Sequence, residues 1–244
     1  MCAMKIIKQI IFLALLASNI FAYSATIIVG VGKFAPPFSA VDTSNHYFGF
    51  CIDLINELCK RMNDTCEYKS ILNEGIESAL NKGLVDISLT PTPISPDLSP
   101  EYIFSMPYMT SNGQFITNNP NIKSLKDLQG KKIGVLEETH LETVLLQYTS
   151  TDNIKEFARG ATIIDALKNN DIDAILFNVN LLKYLTSNQI ATFRTVGKPI
   201  AIGNGYGLLA LKKNEALINK INKALLQIEN DGTYEQIYTK YFGL

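Results

Sequence analysis

Residues 78–90 read SALNKGLVDISLT, and residues 165–177 read DALKNNDIDAILF. The two segments align without gaps. Ala79 matches Ala166, Leu80 matches Leu167 and Asp86 matches Asp173, 87 positions apart. Each reads as the end of an amphipathic helix, a tight turn and an apolar strand. A repeat of this kind points to two similar lobes, although helix–turn–strand units also resemble one another by chance. Outward from the pair, short β-branched runs alternate with helical stretches. TIIVGVG (26–32) reads as a strand, and FCIDLINELCKRM (50–62) has Ile55, Leu58 and Met62 at helical spacing. KKIGVLE, DIDAILF and GYGLLAL read as strands. THLETVLLQY, ATIIDALKNN, EALINKINKALLQIENDG and TYEQIYTKYF read as helices. Alternating β and α predicts an α/β protein with doubly wound, mostly parallel sheets.

Ligands of open α/β sheets sit beyond the carboxyl ends of the strands. The first echoing strand runs into Thr90, Pro91 and Thr92, the second into Phe177 and Asn178. If the lobes face each other, these ends form opposite walls of a cleft. The Thr-Pro-Thr stretch is a stiff, uncharged candidate wall that offers hydroxyls; a plain structural loop is the alternative. Thr139 is a candidate N-cap, with Glu142 three residues on completing a capping box. The N–H groups of that helix start also suit a polar ligand group. Glu137 and Glu138 are solvated charges or favour a cationic ligand. The chain has two histidines, His46 and His140, and carries no HExxH, GxSxG or P-loop pattern. No catalytic residue, cofactor or metal site is expected.

Of the 244 residues, 47% are hydrophobic and 18% charged, and the formal net charge is −1. Nothing here is basic enough to engage nucleic acid. Residues 1–24 read as a secretory signal peptide: Lys5 and Lys8, then the short apolar run IIFLALLA, then small residues, with cleavage after Ala22 or Ser24. The run is too short for a comfortable membrane span. In an oxidising compartment Cys59 and Cys66, which enclose a polar turn, form a candidate disulfide. A zinc site is the competing reading, but neither cysteine has a His or further Cys close by. Cys51 reads as a buried, inert thiol.

Several stretches together resemble the bacterial periplasmic solute-binding proteins for polar amino acids, the receptors of ABC importers. They are APPF (35–38), the helix start GFCIDL, the Cys59/Cys66 pair spaced as in lysine/arginine/ornithine and histidine binders, SLKDLQGKKIGVLEET, YGLLALKKNEAL and DGTYEQIYTKYF. The resemblance runs from about Thr26 to Leu244. It implies two lobes joined by strands crossing near 111–114 and 200–204. Residues 25–112 and 205–244 would form lobe one, and 113–204 lobe two with the crossings. It further implies a hinge that closes on one small polar solute, a membrane permease as partner, a monomer and a periplasmic location. The implied ligand-binding residues are Phe38, Asn73, Thr90, Pro91, Thr92, Thr139, His140 and Asn178.

The sequence departs from the family where charge is wanted. Leu98 stands where the family carries an arginine for the ligand's α-carboxylate, and Asn178 where an aspartate holds the α-ammonium. Ala35 and Asn73 stand where aromatic rings flank the side chain. Arg61, Arg159 and Arg194 are the arginines of the mature chain, and none falls in an evident cleft loop. The expectation is a ligand that is not a standard zwitterion, neutral or cationic. The rival readings are a periplasmic enzyme resembling cyclohexadienyl dehydratase, with Glu138 or His140 as proton donor, and a sensor without a transport role.

Overall fold

The computed structural model describes residues 25–32, 36–71, 74–95, 99–137, 141–188 and 193–243. The signal segment, Ala35, Asn73, Leu98, Glu138, Thr139 and His140 lie outside these residues. Among the described residues no helix is long and apolar enough to cross a membrane.

Two five-stranded sheets carry the fold. The first is built from β1 (Thr26–Val31), β4 (Thr65–Ser70), β5 (Ile87–Pro93), β6 (Tyr102–Phe104) and β12 (Tyr206–Leu211), in the order β4-β1-β5-β12-β6. The second holds β7 (Asn112–Thr117), β8 (Ile133–Leu136), β9 (Ile154–Phe157), β10 (Ala174–Asn178) and β11 (Arg194–Ala201), in the order β11-β7-β10-β8-β9. A small hairpin pairs β2 (Ala40–Val41) with β3 (Tyr47–Phe48). In each large sheet four strands run one way and one, β12 or β7, runs against them. The echoing segments supply β5 and β10, each third in its sheet and each paired with one parallel and one antiparallel neighbour. Their aspartates do the same job. Asp86 Oδ2 accepts from Ile28 N at 2.8 Å while Asp86 N donates to Ile28 O. Asp173 Oδ2 accepts from Lys132 N at 3.0 Å while Asp173 N donates to Lys132 O. Each carboxylate thereby fixes the register between two parallel strands.

Helix α1 (Phe50–Met62) buries Phe50, Leu54, Ile55 and Leu58 against the first sheet. It ends at Asn63, whose φ of 56° gives a left-handed cap with its N–H turned back onto Cys59 and Lys60. The Cys59–Cys66 disulfide staples this last turn to β4, with Cα atoms 6.1 Å apart. Closing so short a loop stabilises by about 2.5 kcal/mol on chain entropy. Thermal unfolding with and without reductant should show that loss, with the Cys59→Ser/Cys66→Ser pair reproducing it. Cys51 is buried without a disulfide partner, and burial pushes its thiol up to about 12.

Helix α2 (Ile76–Asn81) precedes β5, and α6 (Glu215–Asn230) and α7 (Thr233–Phe242) follow β12. Arg61 joins three helices: it pairs with Glu57 at 2.7 Å and Asp231 at 2.5 Å and donates to Thr233 Oγ1. In the second sheet the helices are α3 (Glu142–Leu145), α4 (Gly160–Lys168) and α5 (Val179–Ser187). The helix expected over THLETVLLQY shrinks to α3, because from Leu146 to Thr149 the chain goes on as turns.

The Thr-Pro-Thr stretch corrects the loop reading, since β5 continues through Pro93. Beyond Ser88 the side of β5 toward β1 has no ladder partner among the described residues. Prolines are tolerated where a strand has a free edge of this kind. On its other side Thr92 pairs with Gly207 and Pro93 with Tyr206.

Candidate functional site

The chain passes between the sheets at Thr110–Ser111, before β7, and returns at Ile202–Gly205, after β11. The two crossings are bonded to each other. Ser111 Oγ donates to Ile202 O and accepts from Gly205 N, and Ile202 N donates to Ser111 O at 3.1 Å. Tyr206 N donates to Met109 O at 2.8 Å. Gly205 has φ 97°, and a Cβ there would lie 2.8 Å from Met109 O, so glycine is what lets the crossings approach.

Both central strands end at this junction. The chain beyond β5 bonds to the second crossing, Ile94 N to Gly205 O at 2.8 Å and Asn204 N to Ile94 O at 3.0 Å. At the end of β10, Asn178 Nδ2 donates to Tyr206 OH at 2.7 Å. Burial raises the Tyr206 phenol to about 12, so it stays neutral across the physiological range. Helix α5 then leans on lobe one: Tyr238 OH donates to Asn180 Oδ1 at 2.9 Å, and Leu181 packs against the core of the first sheet.

The sequence-derived site residues divide three ways. Thr90, Pro91, Thr92 and Asn178 stand at the strand ends. Thr92 Oγ1 is tied to Thr90 O at 3.0 Å, whereas Thr90 Oγ1 is buried with no hydrogen-bond partner among the described residues. A Cβ on Gly32 would meet that oxygen at 2.5 Å, so glycine makes room for the hydroxyl. Phe38, expected at the ligand, packs into the core of lobe one. Its ring lies 5.8 Å from that of Phe242 and only 6% of the residue is exposed. Asn73, Thr139 and His140 lie outside the described residues.

Asn178 caps α5. Its Oδ1 accepts from Asn180 N at 2.7 Å and Leu181 N at 3.2 Å. The cap fixes which way the amide faces. The oxygen is consumed by two backbone donors, and of the two amide hydrogens one is on Tyr206. What Asn178 has left to offer is a donor. An ammonium needs acceptors, which is not what this side chain has left.

Sequence reasoning placed a crossing at Ser111 but missed Tyr206 and Gly32. Tyr206 opens the strand GYGLLAL, and only its place beside the crossing makes it a partner of Asn178.

Two sheets of matching topology, joined by two bonded crossings with their central strands ending at the joint, define a hinged two-lobe solute-binding architecture. The chain belongs to the bacterial extracellular solute-binding proteins, family 3, whose model matches residues 27–244. ABC transporter arginine-binding protein 1 of Escherichia coli (strain K12) is 31% identical over 242 residues, covering 96% of this chain and 99% of that one. The crystal structure of an arginine 3rd transport system periplasmic binding protein from Legionella pneumophila superposes with a TM-score of 0.80 at 33% identity, covering 90% of this chain and 100% of that one. An ancestral amino acid-binding protein, a precursor of cyclohexadienyl dehydratase, superposes with a TM-score of 0.75 at 27% identity, covering 89% of this chain and 95% of that one.

Proposed function

We propose that this chain is a periplasmic receptor of an ABC importer, exported by a cleaved signal peptide. It captures an amino-acid-like solute between its lobes and hands it to a membrane permease. The related proteins described as arginine-binding support the receptor reading and the polar, amino-acid-type ligand. Capture proceeds without the family's ion pairs. The observation that supports this is the state of Asn178, whose oxygen is spent on the α5 cap and whose amide keeps one N–H beyond its bond to Tyr206. The ligand therefore shows it an acceptor, such as a carbonyl or carboxylate, and its amino group is absent or capped.

The dehydratase-like alternative finds no support at the strand ends. Asn178 and the high-pKa Tyr206 are poor proton donors there, and Glu138 and His140 lie outside the described residues. Calorimetric titration with free amino acids and their N-acetyl derivatives tests the reading. The N-acetyl compounds should bind more tightly. Tight binding of lysine, arginine, histidine or glutamine in preference to them would overturn the altered ligand and leave the receptor standing.

A further inference from the structure

The strand β9 was not legible in the sequence, and it changes the place of Arg159. β9 runs parallel to β8, with Leu136 opposite Phe157, and Glu137 N donates to Phe157 O at 3.1 Å. Ile175 of β10 is level with Gly134 of β8, and Gly134 with Lys155 of β9. Counting three residues on from that level brings Asn178, Glu137 and Ala158 to the same edge of the sheet. Arg159 is the next residue, two strands from Asn178, or about 10 Å at ordinary strand spacing. Its carbonyl accepts from Thr162 Oγ1 at 2.8 Å and Ile163 N at 3.3 Å, which fixes the backbone at the start of α4.

The other two arginines of the mature chain are committed elsewhere. Arg61 is held by Glu57 and Asp231. Arg194 lies level with Thr117, at the far end of β7 from the crossing, and donates to the carbonyls of Asn119 and Ile122. Arg159 is exposed, and its guanidinium makes no hydrogen bond or ion pair with any described residue. Among the described residues, then, Arg159 is the arginine without a side-chain partner, and it stands just past the carboxyl-end edge of the second sheet.

We propose that Arg159 grips a carboxylate of the ligand, supplying from lobe two the charge that lobe one lacks at Leu98. This rests on the receptor reading and names the ligand class: a carboxylate whose amino group is absent or capped. A planar guanidinium suits a carboxylate because it donates two parallel N–H bonds, a geometry a lysine cannot copy. The sequence reading favours a neutral or cationic solute on Asn178, Asn73, the Glu137/Glu138 pair and the want of an arginine in an evident cleft loop, and the place of β9 bears on the last of these. Asn178 completes the arrangement, since its remaining N–H meets an acceptor on the same ligand.

The test is titration of the full mature chain with two matched pairs: N-acetyl-L-glutamine against N-acetyl-L-glutaminamide, and N-acetyl-L-arginine against N-acetyl-L-argininamide. The wild type should favour the acid over the amide by about ten- to a hundredfold in at least one pair, the range for a hydrogen-bonded charge. Arg159→Ala should erase that preference, and Arg159→Lys should restore only part of it. All three should melt together, because the side chain is exposed. An acid preference that survives in Arg159→Ala overturns the role of Arg159 and leaves the receptor reading intact. Equal binding of acid and amide by the wild type overturns it too. A wild type that binds no member of either pair overturns the altered-ligand reading and this proposal together, and free amino acids binding in their place identify that outcome.

Discussion

Replacing Phe50 by alanine should destabilise the protein by about 3–5 kcal/mol, the range for emptying a large aromatic from a closed core. Phe50 is fully buried, and the rings of Tyr234, Tyr238, Tyr241 and Phe242 all lie within 6.2 Å of it, edge-on or nearly so. All four thus reach one ring from a single helix, α7. The cavity would loosen that helix before it loosened the sheet. For a chain of this size the loss corresponds to a fall in melting temperature of roughly 6–20 °C. Differential scanning calorimetry reads it directly. A fall of only a degree or two would mean that α7 is held by something other than this aromatic cluster.

The second large effect concerns binding. Asn178→Asp keeps the cap, because a carboxylate oxygen accepts from Asn180 N and Leu181 N as well as the amide oxygen does. It changes the other face. The remaining N–H becomes an acceptor carrying charge, and the neutral Tyr206 hydroxyl turns round to donate to it. Ligands with a free ammonium then gain a charge-assisted bond that the wild type cannot make. Relative affinity for L-glutamine over N-acetyl-L-glutamine should rise by about tenfold or more. Titration of both proteins with both compounds measures the shift. No change in the ratio would show that Asn178 does not face the ligand's amino position.

How far the molecule could be read in advance depends on the kind of signal each part leaves. The run FCIDLINELCKRM carries its own period and cap, and α1 occupies those residues. The paired helix–turn–strand segments marked β5 and β10, and their aspartates do matching work in the two sheets. Pro91 and Pro93 misled, because proline argues for a loop unless one knows that β1 stops pairing after Ser88. β9 was missed for the opposite reason. Its four residues, IKEF, include two charges and sit half in solvent at the sheet edge, so neither hydrophobicity nor alternation betrays them. With β9 unread, the place of Arg159 just past its end was unread too. At Asn178 the residue type was visible. Its use was not, since the cap and the bond to Tyr206 depend on where α5 starts and where the second crossing lands. Phe38 drew attention as part of a family motif, yet an aromatic in such a motif serves the core as readily as the ligand.

The bonding of Ser111 to both Ile202 and Gly205 has a mechanical consequence. Two separate connections would let the halves shear, twist and nod independently. Riveted side by side, they leave one axle. Tilting about it brings the tips of β5 and β10 together in one stroke, so a probe on either half should report the same clock for engulfing a guest and for letting it go.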